Sequence, residues 1–438
     1  MKKKLSIVLF FLLPVVAWPQ GKVLTLEEAI STALQNNFDI QLSKNDSLVA
    51  ALNYSYRNAA FLPRLNGTIG TVWSKNDQKQ KFADGTQREL KNIRSNIFNP
   101  SVQLNWTLFD GLKMFATRDK AAEMIKLGEL GIKDQVINTV ATVINTYYNV
   151  VKQKQQLKAV EEQISINNER VKLSQYKLDI GVGIKPDVLQ SKIDLNAQKA
   201  LKLEQETLIE QLKEQLNQVM NIGSGSFYNV SDSIPLNTGL SLGDIQNNIS
   251  TTNPALLISQ KNIDIANSTL KERKAEKWPT VSFNSGYSFN RTNNKATVNP
   301  FQPLYSRNLG LNYGLTANIP ILNNFNIKRQ IKQAALDIQY QQLIYSNLQS
   351  QLNAAVINAF KEYEQQKKAL QLEEENILLA RENLSIVLQT YKLSAATLLQ
   401  LKEAQKSLED AYNRLIAARY NTKLAETELL RLKGELVK

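Results

Sequence analysis

Between Gly314 and Gly434 this chain of 438 residues has no glycine, and after Pro320 it has no proline. Ser101 to Lys185 likewise lacks proline. These are the two residue types that interrupt helices most effectively. The sequence therefore predicts helices over about 112–180 and 324–393, each about 100 Å long at 1.5 Å per residue. Globular helices average about 11–12 residues, so a compact domain cannot hold these. The final segment places Leu401, Ala404, Leu408, Ala411, Leu415, Ala418, Thr422, Ala425, Leu429 and Leu432 at spacings alternating three and four. That alternation is a coiled-coil seam. A short break follows each long helix, and the next helix returns antiparallel to form a hairpin.

The chain is also written twice. Asn37-Phe38 matches Asn253-Pro254, Leu62-Pro63 matches Trp278-Pro279, and Gly70 matches Gly286, all 216 positions apart (253 − 37, 279 − 63, 286 − 70). Trp106–Phe109 matches Ile319–Leu322 at 213, and Tyr176-Lys177-Leu178 matches Tyr391-Lys392-Leu393 at 215. Co-linear matches through helix, strand and helix indicate duplication. Three segments follow: residues 1–20, a first repeat over 21–225 and a second over 226–438. Each repeat reads as a helix (about 26–61 or 242–277), two strands and a helical hairpin. Thr25 with Glu28 forms a capping-box pattern, and Ser241 with Asp244 occupies the equivalent places. Pro63 and Pro279 are expected to end the first helices.

The strands show a period of two. Val102, Leu104, Trp106 and Leu108 share one face; Gln103, Asn105 and Thr107 share the other. Val281, Phe283, Tyr287 and Phe289 oppose Thr280, Ser282, Asn284 and Ser288. Leu309, Leu311, Tyr313, Leu315, Ala317 and Ile319 oppose Asn312, Thr316 and Asn318, while Leu65, Ile69 and Trp73 align more weakly. Segments of about ten residues with one apolar and one small-polar face match membrane-spanning barrel strands. Trp73, Trp106, Tyr287 and Phe289 are available for interfacial girdles. Ser74–Asn99 and Asn290–Asn308 read as long polar loops. A sheet packed on a helix in a soluble protein would alternate as well. Four strands cannot close a barrel, and open edges in lipid leave backbone groups unpaired at several kcal/mol each. Other copies must complete it, and three copies would supply twelve strands.

Residues 1–20, MKKKLSIVLFFLLPVVAWPQ, have a basic start, a short apolar core and Val15-x-Ala17 as a small-residue cleavage signal. They read as a signal peptide directing export. With Lys2, Lys3 and Lys4 removed, the formal charge falls from +13 to +10. The basic residues lie among acids on helical stretches, and no nucleic-acid-binding module is present, so nucleic acid is not an expected partner. No later apolar run reaches about 18 residues, which leaves β-strands as the only route through a membrane. The chain has no His and no Cys. Triads, thiol nucleophiles, imidazole or thiolate metal sites, disulfides and a lipid-modified N-terminal Cys are thereby excluded. No catalytic residue, metal or cofactor is expected.

Four segments resemble the TolC family of outer-membrane efflux proteins. They are Leu24–Asp46, Phe61–Leu65, Trp106–Gly111 (WTLFDG) and Ile319–Asn324 (IPILNN), within the duplicated order of elements. The resemblance implies a mainly α protein with a small β part. It implies long antiparallel coiled-coil hairpins forming a periplasmic α-barrel. Four transmembrane strands per protomer would make a 12-stranded barrel in a homotrimer. It also implies an outer-membrane location with a large periplasmic extension, a periplasmic adaptor, and indirect service to an inner-membrane pump of RND or ABC type. The family's hairpin turns engage the adaptor. Here those turns are Gly181-Val182-Gly183-Ile184 and Ser394-Ala395-Ala396-Thr397, the second lacking Gly. Some members carry acidic rings at the tip, which makes Glu403 and Gln400 candidates for the gate. Asp187, after Pro186, is another, with the alternative of an ordinary helix-start charge.

The function these readings favour is a passive duct, with Asn105, Thr107, Asn284, Asn312 and Asn318 lining the lumen and selectivity left to the pump. An exit channel for type I protein secretion fits the same residues. A periplasmic coiled-coil scaffold explains the helices but not the strands.

Overall fold

The computed structural model describes residues 23–226, 228–237 and 239–437; the expected signal peptide, 1–20, lies outside them. In chain order come β1 (Val23–Leu24), α1 (Leu26–Asn36), α2 (Phe38–Ser55), β2 (Arg64–Thr68), β3 (Thr71–Lys81), β4 (Gln87–Phe98), β5 (Ser101–Phe109), α3 (Lys113–Asp179) and α4 (Lys185–Met220). Then follow β6 (Asn229–Val230), α5 (Leu242–Thr252), α6 (Pro254–Ala275), β7 (Thr280–Asn294), β8 (Tyr305–Asn318), α7 (Asn326–Lys392) and α8 (Leu398–Lys433). The duplication is evident in the lengths. Helices α3 and α7 both have 67 residues, and α4 and α8 both have 36. The hairpin tips therefore correspond at a separation of 213, which aligns Tyr391 with Leu178 and not with Tyr176. Burial agrees with this correction, because Tyr391 is buried and Tyr176 is exposed.

The opening helix of each repeat is broken where the sequence predicts continuity. Asn37 caps α1, and its Oδ1 accepts from the backbone N–H groups of Asp39 (2.9 Å) and Ile40 (3.2 Å) to start α2. Its Nδ2 donates to the Val219 carbonyl (2.9 Å). Asn253 stands at the matching break between α5 and α6, where it is the C-cap of α5 and its Nδ2 donates to the Leu432 carbonyl (2.9 Å). A buried side chain that satisfies three backbone groups outweighs one more turn of helix. Helix α2 also ends at Ser55, well before Pro63, with a short 3-10 turn at Ala59–Phe61 between. The capping box at Thr25 and Glu28 is present. Ser241 sits at the N-cap of α5 without a side-chain bond, and Asp244 is drawn instead to Lys433 (2.7 Å).

The chain divides into two compact units. The helical unit holds residues up to Leu42, Asp134–Asn253 and those from Gln351 on. All ten seam residues of α8 are buried, and Leu401, Ala404, Leu408, Ala411, Leu415 and Ala418 share a core with Leu370, Ile377, Ala380, Leu384 and Tyr391 of α7. Burying one such leucine contributes about 1.5–3 kcal/mol. A second core joins Ala29 and Ala33 of α1 to Val140, Val143 and Tyr147 of α3 and to Leu212 and Leu216 of α4.

The sheet unit holds Ser43–Lys133 and Pro254–Ser350. Its sheet is antiparallel. β2 pairs with β5, β5 and β4 both pair with β7, β3 pairs with β4, and β8 pairs with β7. Taking β2–β3 and β4–β5 as two long interrupted strands, the order is four neighbours in sequence order. The predicted loop Ser74–Asn99 is mostly strand. β3 and β4 form a ribbon that turns at Asp84-Gly85, where Gly85 has φ +86°. The second loop shrinks to 295–304, because β7 and β8 pair as far as Asn293 and Tyr305. At the sheet-to-helix passage Asp110 accepts from Met114 N–H (3.0 Å) and caps α3. A Cβ at the adjacent Gly111, φ +73°, would collide with the Ala275 carbonyl. Among the described residues no helix is long and apolar enough to cross a membrane.

Candidate functional site

The register assembles two unlike faces from alternating residues. On one face Asn105 stands beside Asn284 and Gly314, Gln103 beside Gly286 and Asn312, Thr107 beside Ser282 and Thr316, and Thr280 beside Asn318. The five residues expected to line a lumen thus share one face. Asn105 Nδ2 donates to Asn284 Oδ1 (2.6 Å), and Asn284 Nδ2 donates to Thr316 Oγ1 (3.0 Å). A cavity of about 380 Å³ opens here, lined by Asn66, Gln103, Asn105, Asn284 and Asn312 among others. Apart from Arg64, which β2 sets opposite Asn105, these rows carry amides and hydroxyls that can hydrate a passing solute.

The opposite face carries Trp106, Phe283 and Leu315 in one row, then Val102, Tyr287 and Leu311, then Phe289 and Leu309. A bulge between Thr107 and Phe109 sets Phe109, not Leu108, opposite Val281, which corrects the expected row at that end. β8 pairs only with β7, and β2 pairs only with β5, so both outer edges are unpartnered among the described residues.

In the helical unit the two hairpin turns share one geometry despite unlike residues. Gly181 has φ +79°, and Ser394 takes its place at φ +59°. Val182 N–H donates to the Lys177 carbonyl (3.0 Å), and Ala395 N–H donates to the Thr390 carbonyl (2.9 Å). Both are six-to-one closures of a helix C-terminus. The missing second Gly therefore changes the strain and not the path. Ile184 and Thr397 are the N-caps that follow. A Cβ at Gly183 would lie 2.9 Å from Leu178 N, whereas Ala396 fills that place in the second turn. Ile180, Val182, Ile184 and Leu393 expose large apolar side chains around the turns.

The gate candidates have different surroundings. Gln400 Oε1 accepts from Thr397 N–H (2.9 Å) and completes a capping box, so its side chain is occupied locally. Asp187 lies in the first turn of α4. Glu403 is exposed and has no ion-pair partner among the described residues. Lys402 pairs instead with Asp194 (3.3 Å), and Lys406 pairs with Asp410 (3.1 Å).

Sequence reasoning missed a polar seam on α3. Gln163, Asn167, Arg170, Ser174 and Lys177 are all buried, at spacings of four and three. The same periodicity that identifies the α8 seam was present here, carried by polar residues. Arg170 is 2% exposed. Its Nη1 donates to Gln405 Oε1 (2.5 Å) and its Nη2 to Asp194 Oδ2 (2.6 Å). Burial acts most strongly on Asp194 and pushes its pKa up. The hydrogen bond from Gln190 and the charges of Arg170 and Lys402 together outweigh it, and the pKa lies below the usual value. Lys177 donates to the Tyr391 carbonyl (2.5 Å), and burial lowers its pKa against the pull of Asp187.

The chain matches the family described as Outer membrane efflux protein over residues 29–221 and 247–435. It is 20% identical over 427 residues to outer membrane efflux protein BepC of Brucella suis biovar 1 (strain 1330), covering 94% of this chain and 86% of that protein. Its fold is similar to that of the outer membrane protein VceC of Vibrio cholerae, with TM-score 0.76 and 14% identity over 93% of this chain and 96% of that one. It is similar also to the CmeC outer membrane channel of Campylobacter jejuni, with TM-score 0.76 and 16% identity over 94% and 85%.

Proposed function

The chain belongs to the outer membrane efflux protein family and resides in the outer membrane, and from that premise we propose that it is one protomer of a passive trimeric exit duct. The observation that carries this reading is the sheet itself. It has one apolar face, one polar face of amides and hydroxyls whose strand rows hold a single cation, Arg64, beside Asn105, and two unpartnered edges. An edge left open in lipid costs several kcal/mol per unpaired backbone group. Joining β8 of one copy to β2 and β3 of the next removes that cost, and three copies of four strands close a ring. Curvature with the apolar face outward leaves Asn105, Thr107, Asn284, Asn312 and Asn318 around a wet lumen. The helical hairpins are the duct's periplasmic part. The apolar turns at 181–184 and 395–397 dock a periplasmic adaptor, which connects the duct to an inner-membrane pump of RND or ABC type. Glu403 is free to face the axis there, with Gln400 three residues before it in the same helix and Asp187 in the first turn after the other tip. The cargo is small molecules delivered by the pump, because nothing on the polar face is shaped for one ligand.

The chain has no native Cys, so single cysteines can be placed along β2 (64–68) and β8 (305–318) in an otherwise silent background. Oxidation of a matched pair in outer membranes should convert the protein to a covalent trimer with no free ends. Folded protein that yields no intermolecular cross-link from any pair would refute closure by neighbouring copies.

A further inference from the structure

The apolar face does not end in uncharged loops. Following its rows away from the helices, Phe98 stands beside Arg291, and Arg291 beside Arg307. The Arg291 guanidinium lies 5.5 Å from the Phe98 ring centroid, and that of Arg307 lies 5.3 Å from Phe289. The next row holds Trp73, Asn96, Asn293 and Tyr305. Beyond it Lys75 pairs with Arg94, and Lys295 N–H donates to the Arg94 carbonyl (2.8 Å), extending the ladder past β7. Five cations therefore continue the face that carries the aromatics. All five are exposed, and none pairs with a carboxylate among the described residues. The nearby Glu89 is taken by Lys79 (3.7 Å) and Lys91 (3.5 Å). Trp73, Lys75, Arg94, Asn96, Asn293 and Lys295 line a cavity of about 440 Å³.

The depth of this rim fits the membrane. Arg291 lies ten residues from Val281 on the same face. At about 3.3 Å per residue and a tilt of about 40°, that is about 25 Å along the membrane normal, the height of a barrel's apolar band. The first cations thus emerge where headgroups begin, their stems over aromatic rings. The second row of cations reaches the depth at which phosphate groups lie, and guanidinium and ammonium groups bind phosphate by charge-assisted hydrogen bonds.

We propose that Lys75, Arg94 and Lys295, with Trp73 beneath them, form a lipid-facing site for the phosphate groups of a phosphorylated glycolipid in the outer leaflet. The inference rests on the outer-membrane setting of the sheet and not on duct activity, so it stands or falls separately from conduction.

The full-length protein in neutral detergent is titrated with bisphosphorylated lipid A, with the same lipid after enzymatic dephosphorylation, and with inorganic phosphate. Trp73 emission and native mass spectrometry report binding. Two variants are compared: Lys75→Gln/Arg94→Gln/Lys295→Gln at the rim, and Lys79→Gln/Lys81→Gln/Arg88→Gln at the ribbon tip, which removes the same charge elsewhere. Each cation near an anionic surface is worth about fivefold, so the rim variant should bind the phosphorylated lipid at least about tenfold more weakly even with Arg291 and Arg307 retained. The tip variant should stay within about threefold of wild type. Equal binding by the rim variant and wild type overturns the proposal. So does an equal loss in the tip variant, indifference to dephosphorylation, or inorganic phosphate binding as tightly as the lipid. Heat-modifiable migration on gels verifies folding. Should the triple variant not fold, Arg94→Gln and Lys295→Gln singly are each expected to weaken binding about fivefold, and wild-type affinity in both overturns it.

Discussion

Replacing Asp194 by Ala removes the carboxylate that balances a guanidinium with 2% exposure. Arg170 would keep Gln405 as its hydrogen-bond acceptor, while its Nε already lacks a partner. Breaking a buried ion pair from one side costs about 3–5 kcal/mol. Asp194 is itself 20% exposed, so water relieves part of that cost and the lower end applies. About 3 kcal/mol corresponds to a hundredfold or greater rise in local opening. Hydrogen exchange on the purified full-length protein should register this in peptides covering 163–177 and 398–409, with little change in the sheet. The double variant Arg170→Met/Asp194→Leu replaces the pair with apolar volume and should recover most of the loss, because such swaps are often neutral. A cycle in which Asp194→Ala changes exchange less than about fivefold would refute the reasoning. A double variant as open as the single one would refute it too. The same pair sets a pH dependence. Asp194 stays ionised to lower pH in the folded state than in the unfolded chain. Its contribution is complete above the ordinary carboxylate range and is lost as pH falls below it, so protection of these peptides should decline below about pH 4.

Further outcomes follow from the caps, the tips and the seam. Asn37→Ala and Asn253→Ala should each lower stability by about 1–2 kcal/mol, read as lower midpoints in denaturant; unchanged midpoints would detach the helix breaks from these side chains. Leu408→Ala, at a seam position with 1% exposure, should cost about 2–5 kcal/mol in the same assay, and a cost below 1 would mean the coiled coil is loosely packed. Gly181→Val forces a β-branched residue to φ +79°, and Gly183→Val meets backbone at 2.9 Å. Both should impair export in cells while the trimer persists on gels, and loss of the trimer would count against an adaptor-docking role.

Helices are most legible where many weak signals repeat. Helix α7 follows from the absence of Gly and Pro, α3 from the absence of Pro despite Gly128 and Gly131, and the α8 seam from its three-four spacing. The two sheet faces follow from a period of two that the register reproduces, row against row, for Asn105, Asn284 and Asn312. Single side chains were less visible. The breaks at Asn37 and Asn253 depend on carbonyls 179–182 residues away in sequence, which no local pattern contains. Between Ser74 and Lys91 the β3–β4 ribbon is mostly polar and exposed, so it lacked the apolar alternation that marks a strand; Asp84-Gly85 was the one local signal of its turn. Arg170 lies at a buried position of a three-four spacing, but a charged residue type hides such a seam from a search for apolar periodicity. Spreading the net charge evenly over helices and loops likewise hid the five cations that the register gathers on one face.

The proposed duct requires copies of this chain to enclose a water-filled path lined by Asn105, Asn284 and their neighbours. Single-channel recording from the full-length trimer in planar bilayers tests it most directly, with wild type compared against Asn105→Asp/Asn284→Asp. Wild type should show discrete conductance steps, and the variant a shift toward cations as carboxylates ring the lumen. Folded trimers that insert and carry no current would contradict it, as would currents whose selectivity is indifferent to these two residues.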